Sequence, residues 1–218
     1  MKLKVILTGA TGMVGEGVLL ECLENPTVEQ VLIINRRPSG YAHPKLREII
    51  HSDLMNLTPV ESQLAGYNAC FFCAGISSVG IAKDEYKKIT QDLTLGFAAV
   101  LEKLNPEMTF IYVSGAGTDS TEQGNVAWAR VKGATENALM RMFKNAFMYR
   151  PGMMKATKGQ KHLLKLYNYF AWIYPIGRAL FPGGFCTLRE VARAMINMSV
   201  NGYPKKIIDV RDMVAAGQ

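Results

Sequence analysis

Short apolar runs and longer amphipathic stretches alternate along the chain. The runs are rich in β-branched and aromatic residues, and they predict strands near residues 3–7, 31–35, 48–51, 69–73, 109–114, 146–150 and 206–208. The longest stretches with helical spacing lie at about residues 83–104 and 125–144. This alternation predicts an α/β fold, a doubly wound parallel sheet with right-handed crossovers and helices on both faces.

The first apolar run leads directly into a glycine-rich turn. Gly9, Gly12 and Gly15 follow residues 3–7 at a spacing of three, and a second apolar run then begins a helix. Gly9 permits a tight turn, Gly12 lets the backbone approach a pyrophosphate, and Gly15 allows close packing of the helix on the sheet. Since the free N–H groups at the helix start attract anions, the pattern predicts a dinucleotide site.

The end of the second predicted strand indicates which dinucleotide is bound. Enzymes that use NAD place an acidic residue there for the ribose hydroxyls, whereas this chain has Asn35, Arg36 and Arg37. A carboxylate would repel the 2′-phosphate of NADP, and a guanidinium offers it a planar fork of donors. We therefore expect NADP rather than NAD, with the alternative that the two arginines only solvate a loop.

The turn and four further motifs resemble the short-chain dehydrogenase/reductase superfamily in its atypical and extended branches. The motifs are TGATGMVG at the turn, Asp53-Leu54, Cys73-Ala74-Gly75-Ile76, the stretch 111–116 that contains Ser114, and Tyr149-Arg150-Pro151-Gly152. Together they cover most of the chain and imply a Rossmann-like fold with a small C-terminal substrate cap. The glycine pattern and the resemblance together place cofactor contacts at Thr8, Gly9, Thr11, Gly12, Met13, Val14, Gly15, Asn35, Arg36, Arg37, Asp53, Leu54, Cys73, Ala74, Gly75, Lys132, Arg150, Pro151 and Gly152.

The chain departs from this superfamily at the catalytic pair. The superfamily carries a Tyr-x-x-x-Lys pair in which the lysine lowers the tyrosine pKa, and here that register begins with Trp128 and ends with Lys132. An indole donates a hydrogen bond but is no acid near neutral pH. The literal match from Tyr41 to Lys45 contains a proline, which opposes the required helix. The resemblance thus implies Ser114, Lys132 and Trp128 as the catalytic set.

Two functions from different classes follow from this site. The first is an NADP(H)-binding oxidoreductase or epimerase/dehydratase-like enzyme that acts on an unidentified small molecule, and the retained Ser114 favours it. The second is a non-catalytic protein that senses NADP(H) and signals through a partner.

Two further observations concern the site and its ligand. Thr90 stands at a position where the superfamily often carries asparagine. An apolar ligand is suggested by aromatic and methionine side chains after Pro151, namely Met153, Met154, Tyr167 and Phe170.

Composition and charge narrow the class of protein further. The 218 residues are 49% hydrophobic and 20% charged, which predicts one domain over residues 1–218 with cap elements at about 152–186. Thr187 and Glu190 form a predicted capping box where the chain returns to the sheet. The net charge of +7 is spread evenly, which argues against nucleic acid and fits an anionic cofactor. Because the first residues enter a strand at once, we expect no signal peptide and a cytoplasmic protein.

The remaining chemistry-bearing residues predict no further site. All four cysteines lie in predicted helices and strands, which is typical of buried reduced thiols; they are Cys22, Cys70, Cys73 and Cys186. Residues 70 and 73 belong to one predicted strand and therefore face opposite sides of a sheet. The three histidines are scattered, so no metal site is expected. The apolar segment 162–182 is interrupted by charged residues and proline, which excludes a membrane span. It fits a substrate lid, a homodimer face or a membrane-surface helix.

Overall fold

A parallel sheet of seven strands organises the computed structural model, which describes residues 2–163 and 174–218. The strands in chain order are Leu3–Thr8 (β1), Val28–Asn35 (β2), Leu46–Ile50 (β3), Ala69–Phe72 (β4), Thr109–Val113 (β5), Asn145–Tyr149 (β6), Met153–Lys155 (β7), Phe185–Thr187 (β8) and Ile207–Ile208 (β9). The large sheet has the order β3-β2-β1-β4-β5-β6-β9, and every pair in it is parallel. The strand order reverses between β1 and β4, where such sheets bind ligands beyond their carboxyl ends.

Seven α-helices connect these strands within the described residues. They are Met13–Glu24 (α1), Lys83–Lys87 (α2), Leu93–Leu104 (α3), Ala127–Met142 (α4), Tyr174–Leu180 (α5), Leu188–Asn201 (α6) and Val210–Ala216 (α7). Short 3₁₀ turns occur at Thr58–Gln63 and Pro182–Gly184. The predicted capping box is confirmed, because the Thr187 hydroxyl accepts from the Glu190 N–H and the Glu190 carboxylate accepts from the Thr187 N–H.

The sheet is covered by an apolar core on each face. On one face α1, α6 and α7 pack against strand residues such as Val5 and Phe71. On the other face α3 and α4 pack against the alternate residues, including Ile6 and Phe72. Successive strand side chains point to opposite faces, so strands buried on both sides read as continuous apolar runs. The predicted α/β, Rossmann-like fold is therefore confirmed.

Two predicted helices differ from the observed ones. The predicted helix 83–104 is interrupted at Lys88–Asp92 by a π-helical turn, whose wider hydrogen-bonded ring leaves no mark on apolar spacing. The helix predicted at 125–144 is shorter and begins at Ala127. Before it, the Asp119 carboxylate accepts from the Gly124 N–H at 2.7 Å and holds the chain in a turn.

The cysteines lie as the strand period requires. Cys70 belongs to the apolar cluster on one face of the sheet and Cys73 packs against the cluster on the other, which confirms their separation. All four cysteines are free thiols, although Cys73 is half-buried rather than buried. Burial raises the pKa of Cys73 to about 12, so its reactive thiolate is scarce at neutral pH.

A small layer stands outside the large sheet after β6. It contains the parallel pair β7–β8 and α5. The rings of Tyr174 and Phe185 pack edge to face there, with their centroids 5.8 Å apart. Tyr167 and Phe170 of the predicted apolar segment lie outside the described residues. In the ranges that are described, no helix combines the length and the apolar character needed to cross a membrane.

Candidate active site

The glycine-rich turn fills the gap between β1 and the start of α1. Gly9 has φ 73°, and a Cβ there would lie 2.7 Å from the backbone carbonyl carbon of Cys73. A Cβ on Gly15 would lie 2.2 Å from the Gly9 carbonyl oxygen, which itself accepts from the Gly12 N–H at 2.9 Å. Side chains at positions 9 and 15 would therefore push the strand, the turn and the helix apart.

The carboxyl ends of β1 and β4 form the floor beside this turn. The Thr8 hydroxyl accepts from the Ala74 N–H at 3.2 Å and links the two strand ends. Gly75 has nothing within 4 Å of the Cβ that it lacks, so the chain leaves open space there. At the start of α1, Met13 and Val14 are half-buried, and Val14 packs against the core. The N-terminal N–H groups of α1 therefore border a cleft at the reversal point of the sheet.

The end of β2 forms one side wall of the cleft. Asn35 is buried, and its amide donates to the Glu48 carboxylate at 2.9 Å, which also accepts from the Ser39 N–H. Arg36 and Arg37 are exposed and form no ion pair with any residue that the structure describes. A cavity of about 510 Å³ opens here, lined by Thr11, Arg36, Arg37, Pro38 and His162.

The residues predicted near the adenine follow β3. Asp53 is exposed, and its carboxylate accepts from the N–H of Met55 at 2.9 Å within its own turn. Leu54 is half-buried against the core. Their contact with an adenine remains a prediction.

Ser114 directly follows β5 and belongs to a buried polar network. Its hydroxyl lies 2.5 Å from a Glu136 carboxylate oxygen and 3.1 Å from the carbonyl oxygen of Tyr149. Glu136 is fully buried, and both of its oxygens accept from the guanidinium of Arg150. The Ser114 proton is engaged by the carboxylate, so the hydroxyl offers a ligand lone pairs rather than a proton.

Lys132 joins this network from α4. Its ammonium donates to the carbonyl oxygen of Ser114, and Glu136 follows it one helical turn later. Burial lowers the pKa of Lys132, and the nearby Glu136 carboxylate opposes that shift. A lysine that is partly desolvated holds its proton less firmly than one in water.

Trp128 lies one turn before Lys132 on the same helix. Its ring covers the turn that follows Ser114, and a Cβ added to Gly117 would lie 3.3 Å from the ring. The structure thus brings Ser114, Trp128 and Lys132 into one region, while their catalytic roles remain a prediction. Lys45, from the literal Tyr-x-x-x-Lys match, instead donates to the carbonyl oxygen of Asn25.

The turn after β6 closes the region from the far side. The Pro151 carbonyl oxygen accepts from the Ala116 N–H at 3.0 Å, which ties this turn to the loop after β5. A Cβ on Gly152 would lie 2.4 Å from the carbonyl oxygen of Gly184, so the absence of a side chain permits that contact. The Arg150 guanidinium donates to Glu136, and its contact with a cofactor remains a prediction.

The sequence profile of the NAD dependent epimerase/dehydratase family matches residues 5–125, which is more than half of the chain. The chain belongs to this family. Membership supports a nicotinamide dinucleotide as cofactor, and the matched range contains the glycine turn, the β2 end and Ser114. The pair Trp128 and Lys132 lies beyond it.

Solved structures of epimerases and dehydratases share the fold. A UDP-N-acetylglucosamine 4-epimerase from Methanobrevibacter ruminantium M1, in complex with UDP-N-acetylmuramic acid, superposes with a TM-score of 0.69 at 17% identity, over 99% of this chain and 81% of that chain. The dTDP-glucose 4,6-dehydratase DesIV from Streptomyces venezuelae, with NAD and TYD bound, gives a TM-score of 0.70 at 14% identity, over 94% and 74%.

Relatives in sequence are fungal proteins. A leucinostatins biosynthesis cluster protein T of Purpureocillium lilacinum is 32% identical over 54% of this chain and 44% of its own length, so the chain spans less than half of it. The protein fmp52 of Emericella nidulans, named mitochondrial, is 27% identical over 71% of this chain and 68% of its own length. Further relatives carry the same name, and they contradict the prediction of a cytoplasmic protein.

Two carboxylates of the site were not predicted from the sequence. Glu136 stands four residues after Lys132, and this spacing places both side chains on one face of the helix. That spacing is the sequence signal by which Glu136 could have been assigned to the site. Glu16 lies between Gly15 and Gly17, and it is fully buried in the first turn of α1. The residues described contain no group of three or more histidine, cysteine or acidic side chains placed to hold a metal ion.

Proposed function

We propose that the chain is an NADP(H)-binding oxidoreductase or epimerase/dehydratase-like enzyme that acts on a small molecule. The observation that carries the choice of NADP is the pair of guanidiniums Arg36 and Arg37 at the wall of the cleft after β2, which form no ion pair with the residues that the structure describes. A guanidinium that is not engaged in an ion pair is available to the 2′-phosphate that distinguishes NADP from NAD. The acid that NAD enzymes place at this strand end is Asn35 here, and its amide is engaged by Glu48.

The glycine turn fits the pyrophosphate of such a cofactor. Gly9 and Gly15 leave the backbone close-packed at the start of α1, where N–H groups and the helix dipole favour an anion. We expect Lys132 of α4 to hold the ribose, and the nicotinamide supplies hydride transfer when the cofactor is bound. We assign residues 152–186 to a cap over the substrate side of one domain that spans the chain.

The substrate class follows from the family rather than from one side chain. The neighbouring enzymes named above act on nucleotide-linked sugars, and these are the first substrates to test. Carbonyl compounds come next, because a reductase of this fold delivers hydride to a C=O group.

A non-catalytic NADP(H) sensor is the second candidate, and one observation favours it. Trp128 occupies the register of the superfamily's tyrosine, and the Ser114 proton is directed to Glu136. Neither side chain then donates a proton to a substrate oxygen near neutral pH. An enzyme at this site needs its proton from Lys132 or from water.

Calorimetry with NADPH and NADH on the whole chain tests the cofactor, and nicotinamide absorbance with nucleotide sugars, aldehydes and ketones tests the reaction. We expect tighter binding of NADPH and turnover with at least one substrate class. Binding of NADPH without turnover on any class, together with NADPH-dependent capture of a defined protein partner, would replace the enzyme with the sensor. Absence of binding to either nucleotide would overturn both.

A further inference from the structure

Glu16 is a buried carboxylate that the proposed chemistry does not use. It accepts from the Tyr41 hydroxyl at 2.6 Å and from the backbone N–H groups of Lys161 and His162 at 2.7 and 2.8 Å. Burial alone would raise the pKa of Glu16, but these hydrogen bonds outweigh it and hold the pKa below its usual value. A buried carboxylate is costly unless it is hydrogen-bonded, so these three donors around one acid indicate a defined task.

That task is to hold a distant segment across the start of α1. We call residues Thr157–His162 the strap. The Gln160 amide of the strap donates to the carbonyl oxygen of Met13 at 2.7 Å, in the first turn of α1. The Lys161 ammonium donates to the carbonyl oxygen of Gly40 at 3.0 Å and lies 4.3 Å from the centre of the Tyr41 ring. The strap therefore spans from the cofactor helix to the loop after β2.

The end of the strap reaches the cavity beside Arg36 and Arg37. His162 is one of the five lining residues, with Thr11 from the glycine turn and Arg36 and Arg37 from the wall after β2. Its Nδ1 lies 3.1 Å from a Glu16 carboxylate oxygen, and its side chain stays 35% exposed. Among the residues described, Nε2 contacts no hydrogen-bonding partner, so this nitrogen remains for a ligand in the cavity.

We propose that His162, held by Glu16, completes with Arg36 and Arg37 a pocket for the 2′-phosphate of NADP(H). This rests on the proposed function, and it adds a wall that the strap brings from far along the chain. Arg36 and Arg37 reach this cavity from the loop after β2 and His162 reaches it from the strap, so an imidazole N–H adds a donor from a second segment of the chain. Glu16 is a positioning residue, because it acts on the ligand only through His162.

The contact with Glu16 also sets which imidazole nitrogen faces the cavity. With Nδ1–H donating to Glu16, the imidazolium form presents an Nε2–H to a phosphate oxygen. The charged and titratable groups around His162 are Glu16 from α1, Arg36, Arg37 and Tyr41 from the loop after β2, and the adjacent Lys161.

Fragments of the cofactor test this pocket in the whole chain. Adenosine 2′,5′-bisphosphate and 5′-AMP differ by the 2′-phosphate alone, and calorimetry gives the ratio of their affinities. We expect His162→Gln to lower the affinity for the bisphosphate by about tenfold, the effect of losing one charge-assisted bond, and to leave 5′-AMP unchanged. His43→Gln is the matched control. His43 bonds the N–H of Lys45 before β3 and does not line the cavity, so the ratio stays at the native value.

Two further arms separate His162 from its surroundings. Glu16→Gln is expected to lower the same ratio, and the double variant with His162→Gln to lower it no further, since Glu16 acts through His162. Inorganic phosphate serves as a competitor. We expect it to displace the bisphosphate only weakly, because the adenosine contributes to binding.

The failures of the pocket and of the proposed function are distinct. A native preference for the bisphosphate that His162→Gln leaves intact overturns the role of His162 and keeps NADP as cofactor. An equal loss for both fragments also overturns it, because His162 then contacts the adenosine. Equal native affinity for both fragments overturns the choice of NADP, and no binding of either overturns the dinucleotide site itself. Displacement of the bisphosphate by an equimolar amount of inorganic phosphate contradicts a pocket for the 2′-phosphate of a nucleotide, because phosphate alone then suffices for binding.

Discussion

Replacement of Glu136 by glutamine tests whether the buried network at the end of β5 stabilises the protein. Glu136 has no exposed side-chain surface and Arg150 has 18%, so the pair sits in a poorly hydrated site. Removing one member of a buried ion pair costs about 3–5 kcal/mol, because the other charge stays buried without its partner. Glutamine keeps one acceptor for the guanidinium, so Glu136→Gln is expected to cost about 3 kcal/mol.

Urea unfolding followed by circular dichroism measures this loss as a lower midpoint with an unchanged slope. Glu21→Gln is the matched control. Glu21 is buried, but the side chains of its partners Arg189 and Arg193 are 56% and 40% exposed. Both guanidiniums therefore remain hydrated when the Glu21 carboxylate is replaced. Its expected loss is below about 1 kcal/mol. Equal losses for the two variants, or none for Glu136→Gln, would refute the reasoning. The double variant with Arg150→Met should be more stable than Glu136→Gln alone.

Three further changes probe the cofactor, the catalytic register and the strap. Arg36→Asp should weaken the binding of NADPH by about 1.5–3 kcal/mol, the value of a charge-assisted hydrogen bond, and leave the affinity for NADH nearly unchanged in calorimetry. Equal losses of affinity for the two cofactors would contradict contact with the 2′-phosphate. Trp128→Tyr should raise carbonyl reduction by about 10²- to 10⁴-fold if a general acid is all that is missing, as nicotinamide absorbance would report, and no gain would favour the sensor. Glu16→Gln should flatten the pH dependence of the unfolding free energy below about pH 4.5. The pKa of Glu16 is lower in the folded than in the unfolded chain, so the ionised carboxylate stabilises the fold at higher pH, and this contribution is lost as the pH falls through the folded-state pKa. An unchanged slope of unfolding free energy in acid would contradict this role of Glu16.

Local signals explain why most of the fold was predictable. The turn at Gly9 and the capping box at Thr187 each depend on residues a few positions apart, and their geometry follows from backbone conformation and spacing. The strands were readable because burial on both faces requires continuous apolar runs. Their ends moved by up to three residues, as at β2, which begins at Val28, because pairing with β1 extends the strand past the apolar run.

The candidate site was only partly readable because its contacts join distant residues. The resemblance of residues 111–116 implied Ser114, but the direction of its hydroxyl depends on Glu136, which lies 22 residues later on α4. Glu16 has its partners in Tyr41 and His162, and nothing in the local sequence around either points to a carboxylate. The π-helical turn at Lys88–Asp92 was missed for a different reason, since apolar spacing does not report one extra residue in a turn.

The position of β1 in the sheet has a consequence for synthesis on the ribosome. β1 is central, with β2 on one side and β4 on the other, yet its residues leave the exit tunnel before either neighbour exists. A nascent chain that ends before Ala69 presents one unpaired edge of an apolar strand, and edges of this kind recruit other chains. The pair β6–β9 forms still later, because β6 can pair with β9 only after Ile207 has been synthesised. The parallel order therefore delays completion of the sheet until late in synthesis, and the exposed edge favours association with other chains in the meantime.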